Sequence, residues 1–327
     1  MSASKEKFGE AQKLFSNCRE LAQKHAGRYV LQHPAPDYTT GDLDRIYGLP
    51  FTRRIPADHP GLEMGRFSVV THRGCVGRCS FCALTLLQGD RIVSRSEESI
   101  LKEVRRIVRH PEFKGYIDDL GGPTANMYGM DCPRRSTCRR EDCLSCSKLD
   151  RSHTRLIKLM RRMRDVPGVK KAFVRSGVRY DLAIDSPEYI EELARHHVSG
   201  LLKIAPEHVS DKVLKLMNKG GSRQALAKFQ ALFKKASGKK KQHLKYYFMV
   251  AHPGTGDKEA RELAAEIRCL EVGGEKPVEG VQVFTPTPMT RSACMYWTGT
   301  DPLSGEEVHV PREYEEKKKQ RDLLHFR

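Results

Sequence analysis

Residues 66–84 read RFSVVTHRGCVGRCSFCAL, and the parsing of this stretch decides the fold. Phe67, Val69, Val70 and Thr71, grouped around Ser68, form a β-prone run. Gly74 and Gly77 then permit tight backbone. Cys75, Cys79 and Cys82 follow in CxxxCxxC spacing. Ser96 caps a helical segment whose apolar positions are Ile100, Leu101, Val104, Ile107 and Val108. The pattern is strand, loop, helix, with three thiols in the loop. Three thiolates this close can each take one iron of a [4Fe-4S] cube and leave the fourth iron without a protein ligand. A structural zinc ion would want a fourth protein ligand and two separated pairs. His72 is the nearest candidate for a fourth ligand, but it stands before the loop at a strand end. Phe81 either covers a bound group or simply packs.

The wider composition agrees with metal. Ten cysteines occur in 327 residues, and seven of them fall between positions 75 and 146. Clustered thiols in a chain of this size point to metal in a reducing compartment rather than to a small disulfide scaffold. No apolar run approaches the roughly 18 residues needed to span a bilayer. Lys5, Glu6, Lys7 and Glu10 interrupt the N-terminus where a secretory signal would carry its apolar region. A cytoplasmic protein without membrane contact is expected. With 39% hydrophobic residues the chain can build a core, and its net charge is +17. Residues 151–250 carry 23 Lys and Arg against 8 Asp and Glu, so nearly all the excess sits there.

From residue 66 onward, β-prone runs alternate with amphipathic segments. Strands are predicted at 67–71, 116–120, 172–176, 201–205, 246–250 and 281–284. Helices are predicted near 96–110, 152–164, 187–197 (Pro187 in its first turn), 211–218 and 257–271 (Asp257 as cap). Alternation of this kind builds a parallel sheet, and six strands suit an α/β partial (βα)6 barrel whose active groups lie at the C-terminal strand ends. Three divisions are expected: a mainly helical cap and lead-in over 1–64, the barrel over 65–300 with a Cys-rich insertion at about 130–148, and a charged, exposed helical tail over 301–327.

The cysteine motif, with an aromatic before its last cysteine, resembles that of the radical S-adenosylmethionine (SAM) superfamily. The longer strings DLGGPTANMYGM, SGVRYDLA, LKIAPEH, AHPGT and MYWTGTDPL, together with residues 66–84, resemble the YgiQ-type radical SAM proteins, a family without an assigned reaction. The resemblance runs from about Tyr29 to near the C-terminus. It implies a [4Fe-4S] cluster on Cys75, Cys79 and Cys82, with SAM chelating the open iron through its amine and carboxylate. One electron then splits SAM into methionine and a 5′-deoxyadenosyl radical, which takes hydrogen from a substrate the sequence does not identify; the cofactor supplies this chemistry. An electron donor such as flavodoxin or ferredoxin is implied as well.

Each strand end offers candidate ligands for SAM. Gly121, Gly122 and Pro123 occupy the position of the superfamily's GGE motif, with Pro123 in place of the acid; a plain turn is the alternative. Ser176 and Arg179 follow the third strand, and an arginine there can pair with the methionyl carboxylate. Lys203 and Glu207 end the fourth, where burial demands a partner, either ligand or each other. His252 in AHPGT reads as a hydrogen-bonded structural histidine ahead of a proton donor. Thr285 and Pro286 follow the sixth strand.

Cys132, Cys138, Cys143 and Cys146 form a second group in a loop too long for a plain connection. Four thiolates can close a zinc site or saturate an iron–sulfur cluster, and free thiols are a third reading. Cys18 and Cys269 read as helix residues, and Cys294 as a thiol near the site.

Two other functional classes stand beside the radical enzyme of unassigned reaction. One is an RNA-modifying, methylthiotransferase-like enzyme, suggested by Arg161, Arg162, Arg164, Lys170, Lys171 and Lys239 to Lys241, although the chain lacks room for that group's additional domains. The other is a non-catalytic zinc or iron–sulfur protein. Filling both cysteine groups removes little of the positive charge, so an anionic partner on the 151–250 flank is expected.

Overall fold

The computed structural model of the chain describes residues 4–17, 20–33, 38–56, 58, 60–132, 134, 138, 142–270 and 278–324. Cys18 and lead-in residues 34–37 lie outside them.

The six predicted strand positions are present, all parallel, and they neighbour one another in chain order. Val69–Val70 pairs with Leu120–Gly121, and Tyr116–Ile117 in the same segment pairs with Lys171–Ala172. Val178 bridges to Ile204, and Leu201–Glu207, His243–Val250 and Val278–Val283 form a continuous three-stranded sheet. Backbone bonds fill the short gaps: Val69 N donates to Asp119 O (2.8 Å), Leu120 N to Phe173 O (2.8 Å) and Val178 N to Lys203 O (3.1 Å). The first three strands are shorter than predicted, because Gly121 and the polar residues 175–177 turn their C-terminal ends into ligand-side loops.

The strands bury one face against helices. Leu202, Ile204, Tyr246, Phe248 and Val250 point into a core shared with Ile100, Val104, Leu159, Met163, Ile190 and Phe229, all buried. On the alternate face Lys203 is exposed, Lys245 and Tyr247 are half-buried, and Tyr247 Oη bonds Gln282 Oε1. Period-two alternation thus gives a dry outer face and a polar inner one, the arrangement expected of an open barrel.

The helices run at Glu97–Val108, Thr154–Arg164, Pro187–Glu192, Asp211–Leu216 and Asp257–Leu270. Ser96 Oγ accepts from Ser99 N, as expected of a cap. The helix predicted to reach 197 stays α-helical only to Glu192 and widens into a π-turn over Leu193–His197. His197 Nδ1 there donates to Ala172 O (2.6 Å) and Nε2 lies 3.3 Å from Glu192, so side-chain bonds hold the wider turn. A long helix at Arg223–Ser237 completes the connection between the fourth and fifth strands. Its apolar Leu226, Phe229 and Phe233 lie on one face, and Ser222 caps it.

Two expectations for the ends of the chain need correction. The N-terminal region has helices at Lys5–Asn17 and Thr40–Tyr47, but an antiparallel hairpin, Leu21–His25 with Arg28–Gln32, stands between them. Ala26 and Gly27 both adopt positive φ, the conformation a tight hairpin turn requires. The C-terminal helix, Tyr314–Asp322, is not merely an exposed tail. Ala251 sits at φ +59, and its buried N–H donates to Gln320 Oε1 (2.9 Å), while Gln320 Nε2 donates to Thr255 O (2.9 Å). Leu324 enters the main core beyond it.

Arg95 ties the first strand to the cap. Its side chain is fully buried, bonds Val70 O (2.7 Å) and Ser99 Oγ, pairs with Glu103, and lies over the Tyr47 ring at 4.3 Å. A buried cation needs this many partners.

Candidate active site

The loop carrying Cys75, Cys79 and Cys82 leaves the first strand and is pinned from three sides. Cys75 N donates to Gly89 O (3.1 Å), Ser80 N to Met217 O (2.8 Å), and Ser292 N to Ser80 O (2.9 Å). Asn218 Nδ2 donates to Arg78 O (2.9 Å). Gly74, at φ +85, lies so close to the Arg91 carbonyl that a Cβ would fall 1.8 Å from that oxygen. Only glycine fits there.

Cys75 is buried, and Cys79 and Cys82 are half-buried. Burial pushes the Cys82 thiol up, and the charges of Cys79 and Cys75 act in the same direction. The three sulfurs therefore share one electrostatic neighbourhood. The His72 ring is buried against Gly122, where a Cβ would come within 2.5 Å of it, and Nδ1 is 2.9 Å from Thr71 Oγ1. Burial drops its pKa to about 4, so it is a neutral packing residue. Gly122 thus has a packing reason to be glycine. Gly121 is similarly close to Ser176, 3.3 Å from a Cβ, and Ser176 bonds Asp119. Pro123 is half-buried, and Thr124 Oγ1 next to it is 3.7 Å from Cys75 Sγ.

Arg179 reaches the cysteine loop. Nη1 lies 3.7 Å from Cys79 Sγ, and a Cβ on Gly77 would come within 2.4 Å of the same nitrogen. Asp181 grips the guanidinium through Nε (3.1 Å) and Nη2 (2.6 Å). Burial opposes the charge, but Asp181 and then the thiols outweigh it and hold the guanidinium more firmly protonated than usual. Arg179 thus already holds a resident carboxylate, as a buried cation requires. Its position fits compensation of thiolate charge. Asn126, which the sequence did not flag, fixes it: Oδ1 accepts from Arg179 N (2.8 Å), and Nδ2 reaches Arg179 O (3.0 Å) and His153 Nε2 (3.1 Å).

The fourth strand separates its two candidates. Lys203 is exposed on the polar face, whereas Glu207 is buried at φ +68 with Lys219, not Lys203, 3.7 Å from Oε1. Glu207 Oε2 has no partner. Burial raises its pKa against the pull of Lys219. A strained, half-satisfied carboxylate that also acts on the Cys82 thiol suits ligand contact.

His252 is structural, as expected. Nδ1 donates to Pro253 O (2.8 Å), Nε2 accepts from Ser292 Oγ (2.7 Å), and burial lowers its pKa to about 3. Phe81 packs edge-on against this ring at 6.3 Å and against a cluster formed by Met217, Met249 and Phe284. Beside it a pocket of about 250 Å³ opens, walled by Cys82, Ala83, Tyr247, Gln282, Thr285 and Thr287. Phe81 serves both packing and pocket. Thr285 is exposed at its rim. Cys82 thus faces open space at the C-terminal ends of the fifth and sixth strands, where a barrel presents its active groups. Cys269 is exposed, and Cys294 is a buried helix residue.

Cys132, Cys138, Cys143 and Cys146 line a second, small pocket of about 40 Å³. Val76, Ile92, Met130, Leu149 and Arg91 complete its wall.

The model of the Radical SAM superfamily matches residues 69–267, and a domain of unknown function, DUF3362, matches residues 279–327. A UPF0313 protein of Methanosarcina mazei is 45% identical over 94% of this chain and 50% of its own length. One from Methanocella arvoryzae is 44% identical over 100% and 57%, and one from Clostridium botulinum 41% over 100% and 54%. The chain thus spans about half the length of the curated relatives it matches. Among solved structures, the radical SAM methyltransferase TsrM of Kitasatospora setae aligns at TM-score 0.47 and 15% identity, covering 69% of this chain and 38% of that one. Methylornithine synthase aligns at TM-score 0.42 and 15% identity, covering 88% and 73%. Among the described residues no helix is long and apolar enough to cross a membrane.

Proposed function

Because this chain belongs to the radical SAM superfamily, we propose that it holds a [4Fe-4S] cluster on Cys75, Cys79 and Cys82 and uses it to cleave SAM reductively for hydrogen abstraction from a substrate. The observation that carries this reading is the opening of Cys82 onto a large pocket while Cys75 is buried, so that the three thiols leave one side of the site exposed. Cys75, Cys79 and Cys82 would hold the cluster, which when reduced would supply the one electron for reductive cleavage of SAM. The chain's own residues orient and shield. Arg179, fixed by Asp181 and Asn126, offsets the thiolate charge. Glu207 offers a carboxylate oxygen that the protein itself does not use. Gly121, Gly122 and Thr285 give backbone and rim contacts, and Phe81 with Phe284 keeps water from the reacting side.

The substrate enters by the pocket beside Cys82, where Tyr247 and Gln282 stand on adjacent strands. Of the basic residues behind the RNA-modifying alternative, the three arginines pair with carboxylates, while Lys171 and Lys239 to Lys241 are exposed. Arg161 is bound to Glu188 and Glu192, Arg162 to Glu97, and Arg164 to Glu192, all ties between outer helices. Chain length no longer bears on that alternative, since the relatives are about twice as long.

The test is anaerobic reconstitution followed by 5′-deoxyadenosine measurement with a low-potential reductant. The wild-type protein should form 5′-deoxyadenosine and the Cys75→Ala variant should not. Retention of both the SAM-responsive cluster and product formation in Cys75→Ala would sink the proposal.

A further inference from the structure

We propose that Cys132, Cys138, Cys143 and Cys146 are the four ligands of a second iron–sulfur cluster, and that this site is not a zinc site. The chain brings all four side chains to one pocket.

Thiol spacing distinguishes the two metals. Four thiolates around one zinc, each at about 2.3 Å, stand only about 3.8 Å apart. Among the described residues no three His, Cys, Asp or Glu side chains converge closely enough to hold a single ion. The four cysteines instead line the wall of one small pocket. Spacing agrees. Only Cys143 and Cys146 make a CxxC pair, so the two pairs usual for zinc are missing. The run Cys138-x4-Cys143-x2-Cys146 instead has the spacing of plant-type ferredoxins.

The surroundings suit an anionic cluster. Arg91 reaches the pocket, and its Nη2 donates to Cys138 O (2.6 Å). Val76 excludes water from one side, and its neighbour in the chain is Cys75, so one apolar wall separates the two cysteine groups. Four protein ligands leave no iron for SAM, and the site therefore does not compete with the proposed catalytic one.

The experiment uses the full chain, reconstituted anaerobically, with iron, sulfide and zinc counted in three proteins. Cys75→Ala/Cys79→Ala/Cys82→Ala should keep about two to four iron atoms with matching sulfide, and its reduced electron paramagnetic resonance signal should ignore added SAM. Cys143→Ser/Cys146→Ser should lose that share and keep a signal that SAM shifts. Should the second variant fail to fold, the first decides alone. One zinc without sulfide in the triple variant, or no metal in a folded triple variant, overturns the proposal. Loss of the SAM response in Cys143→Ser/Cys146→Ser, with iron intact in the triple variant, would count instead against SAM cleavage at the first site.

Discussion

Replacement of Gly74 by alanine tests how tightly the cysteine loop is built. The residue adopts φ +85, and the added Cβ would lie 1.8 Å from Arg91 O and 2.7 Å from the Arg91 carbonyl carbon. A left-handed conformation costs a non-glycine residue about 1–2 kcal/mol. Relief of the overlap means moving one backbone segment by more than about 1 Å, which in a packed interior adds roughly 2–3 kcal/mol. The sum, about 3–5 kcal/mol, corresponds to a fall in Tm on the order of 10 °C for a chain of this size. Metal content should fall with it, because Cys75 is the next residue on one side of the overlap and Arg91 bonds the Cys138 carbonyl on the other. Gly299→Ala is the matched control. It also has positive φ (+81), but its Cβ would meet nothing nearer than Arg312 Nη2 at 4.0 Å, so it should lose only about 1 kcal/mol and no iron. Thermal melts and iron analysis of the two variants side by side give the answer. A Gly74→Ala protein with wild-type iron that melts within about 2 °C of the control would refute the reasoning.

Glu192 predicts an acid dependence. Burial opposes its ionisation, but His197, Arg161 and Arg164 together bring its pKa from 4.5 down to about 2. A carboxylate depressed on folding stabilises above its unfolded pKa and loses that contribution as pH falls toward the folded one. Wild-type stability should therefore exceed that of Glu192→Gln by on the order of 2 kcal/mol at pH 6. The gap should close between about pH 4.5 and pH 2 in denaturation measured across that range; a gap unchanged at low pH would contradict it. Gln320→Leu strips partners from Ala251 N and Thr255 O together. A loss of about 2–4 kcal/mol follows, and a melt indistinguishable from wild type would show that the C-terminal helix does not hold the fifth strand end.

The sequence was most legible where a short-range pattern has a physical cause. Alternating β-prone and amphipathic runs located the six strands in order, because burial of one face imposes those periods whatever the loops do. Cysteine spacing likewise located both thiol groups. The helix at Arg223–Ser237 carried a readable signal in Leu226, Phe229 and Phe233, obscured by the lysines between them. Partner choice was not legible. Asp181 grips Arg179, Lys219 rather than Lys203 faces Glu207, and Asn126 locks the loop. Each of these pairings depends on how strand-end loops fold over one another, which no local period encodes. The same holds for Gln320, 69 residues beyond the backbone group it satisfies.

That last contact has a consequence for how the protein is made. Synthesis runs from the N-terminus, so all seven clustered cysteines leave the ribosome before the strands at 201–283 exist. The bend at Ala251 must then wait for Gln320. For that interval the thiols are exposed to oxidants without their finished enclosure, and slow translation in air should lower the yield of protein able to accept metal.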